Sequence, residues 1–158
     1  MITFVKGDLI ALSKEGKFDA IAHQCNCFCT MRSGIAPKIA QAFPVAFEAD
    51  CSTERGDSDK MGTYSRGFDD RYDLHIFNIY GQYGWNRNFP AYGTNYEALF
   101  EGLERMKDFC TGLGAKRIGF PLIGCGLAGG DWNKVLPKIE ELFKDFDVTI
   151  VEFDSSQT

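Results

Sequence analysis

No stretch of this chain is apolar over anything like the ~20 residues that a bilayer-spanning helix needs, and no charged, apolar leader opens it, so a cytoplasmic protein with no membrane partner is expected. Basic residues are not in excess. Seventeen Lys and Arg face 22 Asp and Glu, a net charge of −5, and the basic positions do not cluster. A long phosphate backbone would meet net repulsion, which argues against nucleic acid as a partner. Repeats, linkers and low-complexity segments are missing too. At 158 residues, 44% of them apolar and 14 of them Phe, the chain suits one domain, 1–158, with a real core and no room for a second. A monomer is expected.

Cysteine spacing lacks the pattern of a metal or disulfide framework. Cys25, Cys27 and Cys29 alternate, and Cys51, Cys110 and Cys125 stand apart. Neighbours that close rarely meet disulfide geometry. Structural zinc shows two separated ligand pairs, and one dense cluster fits that badly even with His23 nearby. Reduced thiols, no metal and no cofactor are expected.

What the chain does have is glycine where strands hand over to helices. Pro121-Leu122-Ile123-Gly124-Cys125-Gly126-Leu127-Ala128-Gly129-Gly130-Asp131-Trp132 runs from an apolar segment through four glycines into a helical pattern. Such backbone lets main-chain N–H groups approach an anion, and a following helix N-terminus adds partial positive charge. The alternative is an ordinary tight turn. A second loop, Gln24 to Gly34, has similar character, and two such loops from neighbouring strands would grip both sides of a diphosphate.

The pattern elsewhere alternates strand and helix. Strands are expected at Ile2–Lys6, Asp19–His23, Met61–Ser65, Leu74–Tyr80, Arg117–Leu122 and Val148–Phe153, with a turn at Gly67–Asp70. Ile35, Ile39, Phe43 and Phe47 repeat every four residues, and Pro44 splits that helix in two near Ala42. Thr94-x-x-Glu97 reads as a capping box for a helix with Tyr96, Leu99, Phe100, Leu103, Met106, Cys110 and Leu113 on one face. Trp132, Val135, Ile139, Leu142 and Phe143 mark the last helix. Gly81 to Gly93, carrying Tyr83, Trp85, Phe89 and Tyr92, is a loop long enough to cover a site. The expected fold is α/β, a three-layer α/β/α sandwich around a mixed, largely parallel sheet, with ligands at the carboxyl ends of the strands.

Three pieces in order, Ile2-Thr3-Phe4-Val5-Lys6-Gly7-Asp8-Leu9, Ala22-His23-Gln24-Cys25-Asn26-Cys27 continuing to Met31-Arg32-Ser33-Gly34-Ile35-Ala36, and Pro121 to Trp132, resemble the macro domain family over nearly the whole chain. The resemblance implies a module that binds ADP-ribose or a derivative. It implies that Asp8 accepts from the adenine amino group, the alternative being a turn Asp bonded to its own backbone. Leu9, Ala22 and Pro121 fall at the ligand-lining positions of these motifs. Asn26 corresponds to the polar contact with the distal ribose, or else tolerates a left-handed conformation. Ser33, Gly34 and Ile35 match the first phosphate loop, with Ser33 where many members have glycine, and Gly124, Cys125, Gly126 and Leu127 match the second. Tyr80 or Tyr83 is the stacking candidate beside adenine or ribose, unless those rings merely pack the lid.

One branch of the family uses a catalytic Lys, paired in some members with an Asp, but Gly81 and Ala128 stand at those positions here and do no such chemistry. His23-Gln24-Cys25-Asn26-Cys27 looks more like the branch that hydrolyses ADP-ribose 1″-phosphate. His23 would then shuttle a proton near neutral pH, Asn26 would hold the sugar, and Asp131 would orient water. The alternatives are a strand-end His satisfied by hydrogen bonds and an N-cap Asp. A helix starting near Asn133 would keep Pro137 in its first turn and leave Asp131 free. The expected activity is hydrolysis of ADP-ribose 1″-phosphate. The alternatives are a non-catalytic ADP-ribose reader and a hydrolase that removes ADP-ribose from macromolecules without a catalytic Lys.

Overall fold

The computed structural model describes residues 1–86, 88 and 92–154; Phe89 of the aromatic loop lies outside them. In chain order the elements are β1 (Ile2–Gly7), α1 (Leu9–Lys14), β2 (Ala20–Cys25), α2 (Ala36–Ala42), α3 (Pro44–Cys51), a 3₁₀ turn (Ser58–Lys60), β3 (Tyr64–Asp69), β4 (Leu74–Tyr80), α4 (Tyr96–Leu113), β5 (Arg117–Phe120), α5 (Trp132–Leu142) and β6 (Asp147–Phe153). The strands form one sheet in the order β1-β6-β5-β2-β4-β3. Every pairing is parallel except that of β3 with β4. This is the expected mixed, largely parallel sheet between two helical layers. Among the described residues no helix is long and apolar enough to cross a membrane.

Side chains alternate between the faces of a strand, and that parity sorts the core. Ala20 and Ala22 of β2 with Phe77 and Ile79 of β4 join Leu99, Leu103, Val135 and Ile139 under α4 and α5. Ile21 and Cys25 with Leu74, Ile76 and Tyr80 join Leu9, Ile39, Phe43 and Ala46 under α1, α2 and α3. His23 and Asn78 share the second parity, so both face α3.

Several boundaries differ from the sequence reading for identifiable reasons. Leu9–Lys14 is a helix the sequence reading did not anticipate. Pro44 does split the Ile35–Phe47 pattern, but the new helix rotates its register, burying Ala46 and Asp50 and leaving Phe47 37% exposed. Gly67 lies inside β3 because α3 passes close by, and a Cβ there would sit 2.6 Å from the Val45 carbonyl oxygen. The turn falls later, where Asp73 is left-handed (φ 50°) and Asp69 accepts from Arg71 N at 3.0 Å. Asn95, not Thr94, caps α4 by accepting from Ala98 N at 3.0 Å. Leu113 is 51% exposed at the end of that helix.

Candidate functional site

β2 and β5 are adjacent and parallel, so the loops that follow them leave the same edge of the sheet. They enclose a cavity of about 220 Å³ lined by Asn26, Arg32 to Ala36, Pro121 to Gly124, and Gly126 to Ala128, among others. A second cavity of about 390 Å³ shares Gly34, Ile35, Pro121 and Leu122 with it and runs on to Asp8, Leu9 and Lys38. Sharing that wall, they lie side by side as a groove along the carboxyl end of the sheet.

The loop after β2 is held in an unusual shape. Asn26 closes an Asx turn, accepting from Phe28 N at 2.7 Å, and its amide nitrogen donates to Thr30 Oγ1 at 2.9 Å. Cys29 (φ 60°) and Met31 (φ 45°) are left-handed without being glycine, whereas Gly34 (φ 63°) takes that conformation freely. Such residues cost of order 1 kcal/mol each and persist only when their surroundings over-determine them. Here Lys60, 7% exposed, donates to Cys27 O at 2.9 Å and to Thr53 Oγ1 at 2.8 Å, Gly56 N donates to Cys27 O at 2.6 Å, and Cys29 Sγ donates to Asp50 O at 3.2 Å. Among the described residues the N–H groups of Ser33, Gly34 and Ile35 donate to no protein atom.

The loop after β5 divides its polar groups the same way. Its carbonyls are occupied: Gly124 O accepts from Thr94 Oγ1 (2.5 Å) and Gly130 N (2.8 Å), Gly126 O from Gly129 N, Leu127 O from the Tyr92 hydroxyl (2.6 Å), and Ala128 O from Thr94 N. The N–H groups of Gly124, Gly126, Leu127 and Ala128 donate to no described protein atom. A loop with its carbonyls tied away and its N–H groups unspent presents positive partial charge, which suits a phosphate. The positive end of α5 is not part of this. Asp131 caps that helix, accepting from Asn133 N at 2.9 Å.

That cap corrects the expectation for Asp131. The helix begins at Trp132, not Asn133, and carries Pro137 in its interior on an exposed face. Asp131 is also absent from the residues lining the cavity. His23 is 1% exposed. Asn78 Nδ2 donates to Ala46 O (2.9 Å) and Ser65 Oγ (3.0 Å), so Asn78 Oδ1 faces His23 and accepts from its Nε2–H at 2.7 Å. Burial drives the His23 pKa down to about 4 against that hydrogen bond. The imidazole therefore does not titrate near neutral pH, contrary to the proton-shuttle expectation.

Tyr80 is likewise not a stacking surface. It is fully buried by the same parity that buries Leu74 and Ile76, and its hydroxyl donates to Asp50 Oδ1 at 2.6 Å. Tyr83 donates to Gly56 O at 2.8 Å and packs edge-on against Phe28 at 5.0 Å. Besides the His23 imidazole, the rings that line the cavity are Trp85 and Tyr92. Asp8 caps α1 through Oδ1, accepting from Ile10 N (2.9 Å) and Ala11 N (3.2 Å), and it borders the second cavity.

Arg32, Gln24 and Asp50 line the first cavity without having been singled out. Asp50 left one trace in the sequence, a carboxylate four residues after Ala46 on a helix whose other face is exposed. Buried thiols fill the space around it. Burial pushes Cys25 far up and Cys27 to about 11, so both are neutral in ordinary buffers.

A family model described as Macro domain matches residues 22–139. An uncharacterised 17.5 kDa protein from the tk–vs intergenic region of Enterobacteria phage T4 is 34% identical over 158 residues, spanning 98% of this chain and 97% of the phage protein. The ADP-ribose glycohydrolase OARD1 of Homo sapiens is 31% identical over 152 residues, spanning 96% of this chain and 90% of the human protein. Among solved structures, the macrodomain of Thermus aquaticus DarG matches with a TM-score of 0.75 at 21% identity, covering 96% of this chain and 97% of that one.

Proposed function

The chain belongs to the macro domain family, and from that premise we propose that it binds ADP-ribose and hydrolyses ADP-ribose 1″-phosphate to ADP-ribose and phosphate. The observation that carries the reading is the pair of loops whose unspent N–H groups face one cavity. Such a cradle fits a pyrophosphate. The second cavity, bordered by Asp8, Leu9 and Lys38, gives the adenosine half a place. Asn26 and the rings of Trp85 and Tyr92 bound the end where the distal ribose would lie. Arg32, at the mouth, offsets the chain's net negative charge locally.

A second reading has its own support. The human relative is named an ADP-ribose glycohydrolase, and release of ADP-ribose from a modified macromolecule would use the same groove. A lysine route is closed here by shape as well as by residue type. A Cβ on Gly81 would collide with Gln24 Oε1 and lie 3.1 Å from Leu99 Cβ. Gln24 is fixed in that orientation because its Nε2 donates to Gln82 Oε1 (2.9 Å) and Thr94 Oγ1 (3.0 Å), both of which lack a hydrogen to give back.

Calorimetry with ADP-ribose, followed by phosphate release from ADP-ribose 1″-phosphate, tests the proposal. Binding and release are both expected. Binding without release would reduce the protein to a reader or to the second reading, and no binding would remove the whole reading.

A further inference from the structure

Hydrolysis of a sugar phosphate needs a proton for the leaving oxygen, and the groups expected to move protons are committed elsewhere: His23 to Asn78 and Asp131 to the cap of α5. One carboxylate does line the first cavity, between the two glycine-bearing loops, among the described residues, and it is Asp50. It is 1% exposed. Its two oxygens differ sharply. Oδ1 accepts from Tyr80, whereas Oδ2 is buried with no hydrogen-bond partner in the fold.

The hydrogen bonds leading to it run in one direction. His23 Nε2–H donates to Asn78 Oδ1, and Asn78 Nδ2 donates to Ser65 Oγ. Because Tyr80 spends its hydrogen on Asp50, the 2.8 Å contact between Ser65 and Tyr80 has Ser65 as donor. Each donor is thereby consumed, and Oδ1 can only accept. A proton on this carboxyl sits on Oδ2, the buried and unpartnered oxygen of a residue that lines the cavity.

We propose that Asp50 is the proton donor of this site, its Oδ2–H protonating the oxygen on the distal ribose carbon as that oxygen leaves phosphorus. This rests on the hydrolase reading above. Water adds to phosphorus, the bond from phosphorus to the ribose oxygen breaks, and the electron pair stays on that oxygen, which takes the Asp50 proton. The added water gives up one proton, which restores Asp50, and the products are ADP-ribose and hydrogen phosphate.

The surroundings favour the neutral acid. Burying a carboxylate with an unserved oxygen is costly, and burial raises the Asp50 pKa against the Tyr80 hydrogen bond and the field of Lys60. Lys60, from the 3₁₀ turn, directs its ammonium to Cys27 O, Thr53 Oγ1 and Cys29 Sγ instead of the carboxyl. The other titratable neighbours are Tyr80 from β4, Cys25 from β2, Cys27 and Cys29 in the loop beyond it, and Cys51 on α3 itself.

Asp50→Asn preserves shape and the acceptor for Tyr80. Its turnover is expected to fall by ~100-fold or more, with the ADP-ribose Kd within ~3-fold of wild type. Wild-type turnover falls as pH rises and the acid is lost, and that alkaline limb disappears in Asp50→Asn. Tyr80→Phe removes a bond that favours the carboxylate, so it moves the limb to higher pH. A structural role would not move it. Undiminished turnover in Asp50→Asn, or loss of ADP-ribose binding with native melting, overturns the assignment. If the wild type binds ADP-ribose and releases no phosphate, the hydrolase reading fails and infrared spectroscopy decides Asp50. A protonated-carboxyl stretch that shifts with ADP-ribose and vanishes in Asp50→Asn upholds Asp50 as a neutral acid that senses the nucleotide, with only the transfer step lost; no such band, or one indifferent to the nucleotide, overturns the assignment. The wild-type spectrum and Tyr80→Phe serve the same purpose if Asp50→Asn does not fold.

Discussion

His23 is a residue whose protonation the fold resists, and that resistance has a measurable sign. Its pKa is about 4 when folded and ~6.5 when unfolded, so the unfolded chain binds more protons between those values. The stability that neutral His23 contributes is complete above the unfolded value and is lost as pH falls toward the folded one, by about 2 kcal/mol at pH 5. Asp19 acts in a separate window. Despite burial, Arg117 and the Lys116 and Arg117 N–H groups hold its carboxyl at about 2, so its contribution is lost only below the usual carboxylate value. Urea unfolding at pH 7.5 and pH 5 is expected to show the His23 loss, and His23→Gln, which keeps an N–H donor for Asn78, is expected to flatten it. An equally steep fall in the variant would assign the loss to another group.

At the scale of elements, much of the placement was legible because parity and proline are local signals. The split at Pro44 follows from one missing N–H, and the layer that receives Ile21, Leu74 and Ile76 follows from period two. The same parity assigns His23 and Tyr80 to the buried layer under α3, and weighing it would have withdrawn Tyr80 as a stacking ring. The start of α5 was not legible in this way. Pro137 suggested a later start, yet the helix is fixed from outside: Asp131 N donates at 2.9 Å to the hydroxyl of Tyr96, at the head of α4 and 35 residues earlier. Asp50 was hidden for a related reason, since its partners Tyr80, Lys60 and Cys29 come from three separate segments. The reading of Asp131 as a cap makes its own prediction. Asp131→Ala is expected to destabilise the protein by ~1 kcal/mol and leave hydrolysis essentially unchanged, as checked by denaturant unfolding beside phosphate release. A large loss of turnover at native stability would return Asp131 to the chemistry.

Across the whole molecule, the sheet order decides that the two loops share one groove. Because β5 and β2 are neighbours and parallel, the two glycine-bearing loops meet, although nearly a hundred residues of sequence separate them. The groove is built before any ligand arrives, since Lys60, Thr94 and Tyr92 already tie its walls down. Ligand binding then adds to folding stability instead of being spent on ordering the loops. Saturating ADP-ribose at ~100 times its Kd is expected to stabilise the native state by ~2.7 kcal/mol, a rise in Tm of roughly 5–10 °C for a chain of this size. Gly126→Glu is the control. Gly126 lines the cavity, is exposed, has no positive φ, and a Cβ there meets nothing within 4 Å. The variant should melt within ~0.5 kcal/mol of wild type without ligand, yet its carboxylate would oppose the pyrophosphate at close range and weaken ADP-ribose binding at least ~10-fold. Its ligand-induced rise in Tm should shrink accordingly at the same nucleotide concentration. An undiminished rise would place the nucleotide outside the loops that define this groove, because no other property of position 126 separates the two proteins.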